Sequence, residues 1–250
     1  MTKKGYLKIV SHNFFVFKKN WISQVFYMLL EPFLFLSAFG YGIGQYINSI
    51  NGQSYLEYFF IGYLSVSSAV VAFIDSFNTQ NYRMNEKQVY ASWLITPIKK
   101  LDIYLGETLS SAFKGLLSCA ITCVVGLAMG VVESFLVIPL VLLLFISIFL
   151  FSALGSIVAN SNFLGKQKIP NLVLLIPMIL ISGIFFPVQT LNLPLWVVSY
   201  LLPFTHSIQL SHSVMSGIIS LFSVFNFLYL LIISYAVFVL GYKKFKEKFI

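Results

Sequence analysis

Four ionisable side chains within or beside long apolar stretches are the residues of this sequence best placed to do chemistry. They are Glu31, Asp75, Glu107 and Lys114. A charged group inside a membrane is costly, so it marks either an ion or proton path or a structural pairing. Pro32 follows Glu31 and frees backbone groups that need partners. Glu107 and Lys114 share a helix face but are seven residues apart, beyond the usual spacing of a helical ion pair.

Sequence motifs for catalysis are absent. His206 and His212 are six residues apart with no third ligand for zinc, so we expect satisfied or solvated histidines. The nearest approach to a phosphate-binding loop, Gly165-Lys166-Gln167, lacks the earlier glycine and the hydroxyl. Neither G-x-S-x-G nor H-E-x-x-H occurs. The sequence therefore predicts no catalytic residue, metal or cofactor in this chain.

The apolar composition indicates the class of fold that holds these four residues in place. Of the 250 residues, 58% are hydrophobic and 10% are charged, whereas soluble proteins have about 25% charged residues. The mean hydropathy is +0.88. The run 169–242 contains no Asp, Glu, Lys or Arg, which is enough chain to cross a bilayer more than once. These values exclude a soluble domain and a disordered chain, and they predict an all-α polytopic membrane protein.

Apolar stretches bounded by charges or turn residues predict six transmembrane helices. The spans are 22–46, 57–80, 106–130, 134–160, 170–187 and 221–242. Each reaches the roughly 17 residues that a helical span needs. The stretch between the last two spans is broken into short pieces by Pro187, Pro194 and Pro203. We therefore expect residues 188–220 to form an external re-entrant helical hairpin that is shielded by protein.

The basic residues predict the orientation. All 16 Lys and Arg residues fall before the first span, between spans two and three or just inside span three, between spans four and five, or after span six. By the positive-inside rule, both termini are cytoplasmic. A seventh span would place the four C-terminal lysines outside. The net charge of +8 is thus explained by flanks that face anionic lipid in the cytoplasmic, or inner, membrane, without nucleic acid.

Residues 5–20 are too charged to span and carry an apolar stripe. The stripe consists of Tyr6, Val10, Phe14, Phe17 and Trp21. Lys8, His12 and Lys19 point the other way. This pattern is typical of an interfacial helix lying among lipid headgroups. A solvated basic leader is the alternative.

The connection 81–105 contains a second amphipathic segment, 85–96. Asn85 is predicted to cap a short helix, with Glu86 in its first turn, and Thr96-Pro97 to end it. One face carries Val89, Tyr90, Trp93 and Leu94. An exposed face with Tyr and Trp indicates a docking surface for a partner. A helix lying on lipid headgroups would show the same pattern.

Six motifs occur in the order found in one transporter family. They are Glu31-Pro32 with Phe39-Gly40-Tyr41-Gly42-Ile43-Gly44, the run 58–63 (YFFIGY), Thr96-Pro97 with Leu105-Gly106-Glu107, the run 182–187 (SGIFFP), the run 193–196 (LPLW), and the run 202–207 (LPFTHS). Together with the basic leader, they cover essentially the whole chain. The sequence resembles the membrane-spanning subunit of ABC-2 type exporters, in the nodulation-factor-export-like branch.

The resemblance implies an assembly. Two membrane subunits pair, here two copies of this chain, and a cytoplasmic ATP-binding subunit docks under each and holds ATP and Mg. The segment 85–96 would be the coupling helix, although members often have an acidic residue where this chain has Ala91, Ser92 and Trp93. The hairpin would be an external gate. Its residues would include Pro187, Pro194, Trp196, Pro203, Thr205 and His206.

The expected function is export of an amphipathic substrate, powered by the separate ATPase. The resemblance implies lipid-linked or lipid-modified oligosaccharides, polysaccharides or hydrophobic drugs as substrates. An alternative is an ion- or proton-coupled carrier that uses Glu31 and Asp75. Only one interrupted helical region is visible, whereas such carriers often have two in similar halves. A membrane scaffold that transports nothing is the third possibility.

Overall fold

The computed structural model describes residues 5–47, 49–50, 52–86, 89–131, 137–161 and 170–248. Across these ranges the regular structure is helical, without a named β-strand. The α-helices are α1 Gly5–Lys19, α2 Trp21–Phe35, α3 Tyr55–Asn81, α4 Val89–Leu94, α5 Lys100–Ala128, α6 Val137–Asn160, α7 Pro170–Leu180, α8 Leu193–Tyr200, α9 Pro203–Met215 and α10 Leu221–Glu247. Two π-helical segments, Leu36–Ile43 and Tyr82–Glu86, and a 3₁₀ turn, Val188–Thr190, complete the regular structure.

Five helices in the described ranges are long and apolar enough to cross a membrane. They are Trp21–Ile43, Tyr55–Met84, Lys100–Ala128, Pro139–Asn160 and Leu221–Glu247. They coincide with five of the predicted spans. In the remaining predicted span, 170–187, the structure has the 11-residue helix α7, which is too short to qualify by itself. The all-helical class is confirmed, and the count of six spans stays a prediction.

Helix α3 is the centre of the bundle. It packs against α5, α6 and α9 and is buried on all sides along most of its length, as expected for a helix without a polar face. Small residues let its neighbours come close. A Cβ at Gly115 of α5 would lie 2.7 Å from the Ser68 carbonyl oxygen, and one at Gly155 of α6 would lie 3.2 Å from Phe73 Cα. Direct backbone packing therefore fixes α3, α5 and α6 relative to one another.

The first span changes its helical geometry along its length. Pro32 lies inside α2 and has no N–H to donate, and the π-helical segment Leu36–Ile43 begins four residues later. Within that segment Phe39 stacks on Phe35 and on Phe59 of α3, with ring centroids 5.8 and 5.5 Å apart. Most of α2 is otherwise exposed in the single chain. This span is thus held to the bundle by contacts of α2 with α5 and of its π-helical part with α3.

The described basic segments meet at one end of the bundle, called the basic end below. There α1 lies on the start of α5, where Ile9 covers Gly106. The end of α10 reaches the same place, since Tyr242 packs against Tyr104 with 5.8 Å between ring centroids. At the opposite end, the Tyr58 hydroxyl donates to the Gly183 carbonyl oxygen at 2.7 Å. Helices α1 and α4, the start of α5 and the end of α10 therefore lie together at the basic end.

Substitution of Gly155 by Ala tests the close packing of α3 and α6. The new methyl group would meet the Phe73 backbone, which cannot move aside as a flexible side chain could. We expect a loss of about 1–3 kcal/mol of stability, seen as a lower thermal unfolding midpoint in detergent. Gly42→Ala is the matched control, because a Cβ there would meet nothing closer than the Ser37 carbonyl oxygen at 4.0 Å. Equal midpoints for the two variants would contradict the packing argument.

Candidate functional site

Tyr90 anchors the short helix α4 inside the protein. Its side chain is 1% exposed and packs edge-to-face on Phe245 of α10, with 5.5 Å between ring centroids. Tyr104 of α5 completes this aromatic cluster. Burial raises the pKa of the Tyr90 phenol well above its ordinary value, so the ring stays neutral. The sequence predicted Tyr90 on an exposed face, but the structure places it where a partner cannot touch it.

The predicted start of the coupling segment also differs. Asn85 and Glu86 lie in the π-helical segment Tyr82–Glu86, which continues α3. Asn85 is therefore not the first residue of a separate helix, as its capping role required. The described part of α4 begins at Val89. The side chains of Asn85 and Glu86 lie outside the described part of the chain.

Trp93 connects α4 to two other elements. The Arg83 guanidinium carbon lies 5.2 Å from the centre of its ring, which is a cation–π contact. The His12 ring of α1 meets the same indole edge-to-face, with 5.5 Å between centroids. Trp93 thus holds α4 against both the end of α3 and the interfacial segment.

A buried ion pair lies beneath this indole. The Arg83 guanidinium is bonded to the Glu107 carboxylate of α5, and the Glu107 residue is 1% exposed. Asn13 of α1 donates to the other Glu107 oxygen at 3.5 Å. A buried charge that loses its partner is strongly destabilising, so this pair fixes the end of α3 on α5. Glu107, which the sequence marked as a costly intramembrane charge, therefore has a structural partner.

Asp75 and Lys114 form a second ion pair at the same end. Lys114 Nζ lies 2.5 Å from one Asp75 carboxylate oxygen, and the Ser111 hydroxyl donates to the other at 2.8 Å. The charges on α5 therefore pair with α3 and its extension and not with each other. Glu31 lies apart from them, beside the Tyr63 hydroxyl of α3. Of the two carboxylates considered for ion coupling, Asp75 is already neutralised by a lysine.

The exposed surface of the coupling segment is its tip. Ile95, directly after α4, is 88% exposed. Its exposed neighbours are Ala91, Ser92, Thr96 and Pro97. The Thr96 hydroxyl donates to the Trp93 carbonyl oxygen at 2.6 Å, which closes the last turn. Ile95 was not among the predicted surface residues, although an apolar residue two positions after Trp93 points away from the face that carries Tyr90 and Trp93.

Helix α1 contacts the protein through a different face from the one that carries the predicted stripe. Its buried residues are Gly5, Ile9 and Asn13, which lie on α5. In the predicted stripe, Tyr6, Val10 and Phe17 are half-buried and Phe14 and Trp21 are exposed. Such a helix can lie on protein with one face and offer aromatic side chains to lipid with the other. Gly5, Ile9 and Asn13 are four residues apart, and this spacing places them on one face of the helix and could have predicted the contact with α5.

At the end of the bundle opposite the basic end, prolines separate short helices, as predicted. Pro187 precedes the turn Val188–Thr190, Pro194 lies in the first turn of α8, and Pro203 starts α9. Proline suits these places because a first-turn N–H has no helical partner. Trp196 packs against Tyr200, with the two rings tilted and their centroids 4.9 Å apart. The segment is a pair of short helices, while its re-entry into a membrane stays a prediction.

His206 is buried, and both of its ring nitrogens have hydrogen-bond partners. Its Nδ1 is 2.8 Å from Asn226 Oδ1, its Nε2 is 2.9 Å from the Tyr200 carbonyl oxygen, and its ring stacks on Tyr229. Thr205 shares a hydrogen bond of 3.0 Å with Ser199. Among the described residues, no group of three or more His, Cys, Asp or Glu could hold a metal ion. His206 and Thr205 thus tie α8, α9 and α10 together.

Removal of one charge from the buried ion pair should cost more than removal of both. Arg83→Gln leaves the Glu107 carboxylate unpaired, so we expect a loss of about 3–5 kcal/mol and a lower unfolding midpoint in detergent. Addition of Glu107→Gln to that variant should recover part of the loss, because no buried charge remains. Lys8→Gln, on the exposed side of α1, should leave the midpoint unchanged. Additive losses in the double variant would contradict the pairing.

Comparison with known proteins shows the family of this chain. The family description "ABC-2 type transporter" matches residues 6–216. The chain is 28% identical over 211 residues to Nodulation protein J of Sinorhizobium fredii, covering 82% of this chain and 79% of that protein. It is 25% identical over 218 residues to Nodulation protein J of Rhizobium leguminosarum bv. trifolii, covering 85% and 82%. The resemblance found in the ordered motifs is confirmed, and the chain belongs to the ABC-2 type transporter family.

Proposed function

We propose that the chain is the permease subunit of an ATP-driven exporter that works as a homodimer in the cytoplasmic membrane. Membership of the family implies separate ATP-binding subunits as partners. One observation carries the proposal: a six-residue helix at the basic end contacts four other elements through two aromatic residues. Tyr90 packs on α10 beside Tyr104 of α5, and Trp93 packs on α1 and on the extension of α3.

The exposed tip around Ile95 is the proposed docking point of the ATP-binding subunit. Ile95 is 88% exposed, and Ala91, Ser92, Thr96 and Pro97 are exposed beside it, so an apolar recess of a partner could enclose its side chain. Movement of that partner on binding ATP would push on α4. Because Trp93 and Tyr90 join α4 to its neighbours, the push would reach α1, α3, α5 and α10 together. The bundle would then tilt as a body and open a path between two protomers.

The first span is the proposed interface with the second copy of the chain. Large apolar side chains of α2 remain exposed, among them Phe26, Phe33 and Leu34. The aromatic stack of Phe35, Phe39 and Phe59 lies beside them. A path between two such faces would be apolar and rich in aromatic rings. It would accept an amphipathic substrate such as a lipid-linked or lipid-modified oligosaccharide, a polysaccharide with a lipid end, or a hydrophobic drug.

The short helices α8 and α9 are the proposed external gate. They are separated by turns at proline residues, and His206 ties them to α10 through Asn226. A movement of α10 would therefore carry the gate with it. The ion-coupled alternative has less support, because Asp75 is held by Lys114 and Ser111.

Substitution of Ile95 by Asp tests the docking point. A charge at the proposed contact should cost about 2 kcal/mol or more, which is roughly thirtyfold in affinity, so the ATP-binding subunit should be lost when the tagged chain is purified in gentle detergent. Insertion and thermal stability of the chain should be unchanged, because the side chain is exposed.

Ile219→Asp is the matched control, since this isoleucine is also highly exposed but lies at the opposite end, between α9 and α10. Tyr90→Asp should instead reduce the yield of folded chain, because it buries a charge. Retention of the ATP-binding subunit by both Ile95→Asp and Trp93→Asp would exclude this segment as the docking site. Purification of the intact wild-type chain with no ATP-binding protein would contradict the proposed function itself.

A further inference from the structure

Two adjoining cavities lie beneath the interfacial helix α1. The larger, about 730 Å³, contains both ion pairs and is lined by polar side chains of α1, α3 and α5. The smaller, about 360 Å³, is almost entirely apolar and is lined by Val10, Phe14, Phe17 and Phe113. Both volumes fall in the range of about 300–1,000 Å³ that small-molecule sites occupy. Neither cavity lies in the proposed path between protomers.

Lys114 stands at the boundary between the two cavities and lines both, as do Asn13 and Ser110. Its ammonium bonds to Asp75 at 2.5 Å and lies 5.9 Å from the centre of the Phe17 ring. An ammonium has three N–H donors, so Lys114 can keep Asp75 and still donate to an oxygen of a ligand. A polar compartment and an apolar one therefore meet at a cation.

The charges of the larger cavity are balanced. Asp75 and Glu107 supply two negative charges, and Arg83 and Lys114 supply two positive ones. A ligand with a single net charge would be attracted by the side chains of opposite charge and repelled by those of like charge. A headgroup with both a phosphate and an ammonium would find a partner for each. The charge pattern therefore favours a zwitterionic head over an anionic one.

The apolar cavity is open towards the surface of α1 and α5. Phe14 is 53% exposed and Phe113 is 47% exposed, and the two rings meet edge-to-face with 6.2 Å between centroids. They lie at the basic end, where the pattern of lysines predicts the headgroup region of the cytoplasmic leaflet. A flexible acyl chain could lie along these exposed rings and reach the cavity that they line, since its head would already be at the right depth.

We infer that the two cavities form a binding site for one zwitterionic membrane phospholipid. The phosphate binds at Lys114, the ammonium faces the carboxylate of Asp75, and one acyl chain lies against Phe14, Phe17 and Phe113. Val89 of α4 and His12 of α1 line the same polar cavity. A bound headgroup therefore fills the space between the interfacial helix and the coupling segment. This inference concerns a resident lipid and does not depend on what the protein transports.

Native mass spectrometry of the delipidated chain, titrated separately with phosphatidylethanolamine and phosphatidylglycerol, tests the site. We expect one phosphatidylethanolamine per chain, bound more tightly than phosphatidylglycerol. Phe113→Trp and Val10→Trp fill the apolar cavity from opposite walls. Each should weaken binding about tenfold, the loss expected from displacing roughly two buried methylene groups. Lys114→Met should weaken it similarly by removing the phosphate donor.

Two controls separate the site from general lipid contact. Val124→Trp places the same ring on an exposed position of α5 outside both cavities, and Lys8→Met removes an exposed lysine of α1. Both should bind like wild type. Unchanged binding in both Trp-filled variants would overturn the site. Tighter binding of phosphatidylglycerol, or recovery of a sugar-bearing lipid from these cavities in native membranes, would overturn the choice of a zwitterionic phospholipid.

Discussion

The charges of Arg83 and Glu107 are paired where the end of α3 meets the start of α5, in surroundings that exclude most water. Neither charge is tolerable there without the other. The pair is also shared: Asn13 of α1 donates to Glu107, and the Arg83 guanidinium lies under the Trp93 ring of α4. Four elements thus meet at one buried interaction. The position of α4 depends in part on this pair, because Trp93 packs on the guanidinium that Glu107 holds.

Rigidity away from this pair has a different origin. Glycine residues on α5 and α6 bring backbones against α3, and the Ser156 hydroxyl and Asn160 amide of α6 donate to the buried Gln80 of α3. Tyr90 and Phe245 bring α10 into the same body, and His206 joins α10 to the short helices at the opposite end. In a medium with no hydrophobic force between helices, close packing and a few buried polar bonds must hold the bundle. Force applied at the basic end would therefore be carried to the opposite end by contiguous packing.

Much of the helical fold was predictable from the sequence, because the patterns of hydropathy and charge extend over whole segments. Five predicted spans coincide with long helices, and the prolines of 188–220 separate short ones as expected. Contacts between segments were not predictable. Nothing in the local sequence indicates that Tyr90 packs on Phe245, far along the chain, or that Glu107 pairs with Arg83 and Lys114 with Asp75. Asn85 was misplaced because the π-helical continuation of α3 depends on tertiary packing, which outweighs a capping preference.

The central claim is that α4 and α1 move as one body when the ATP-binding partner closes. Spin labels at Lys8→Cys and Ser92→Cys, both exposed, would report the distance between the two helices in the assembled complex. Cys119 and Cys123 would first be replaced by Ala, since both thiols are free. With labelled chain diluted by unlabelled chain, so that most complexes carry one labelled protomer, we predict one narrow distance by pulsed electron resonance that is the same without nucleotide and with a non-hydrolysable ATP analogue. A shifted or broadened distance on nucleotide binding would contradict the account, because α4 would then be moving independently of the interfacial helix.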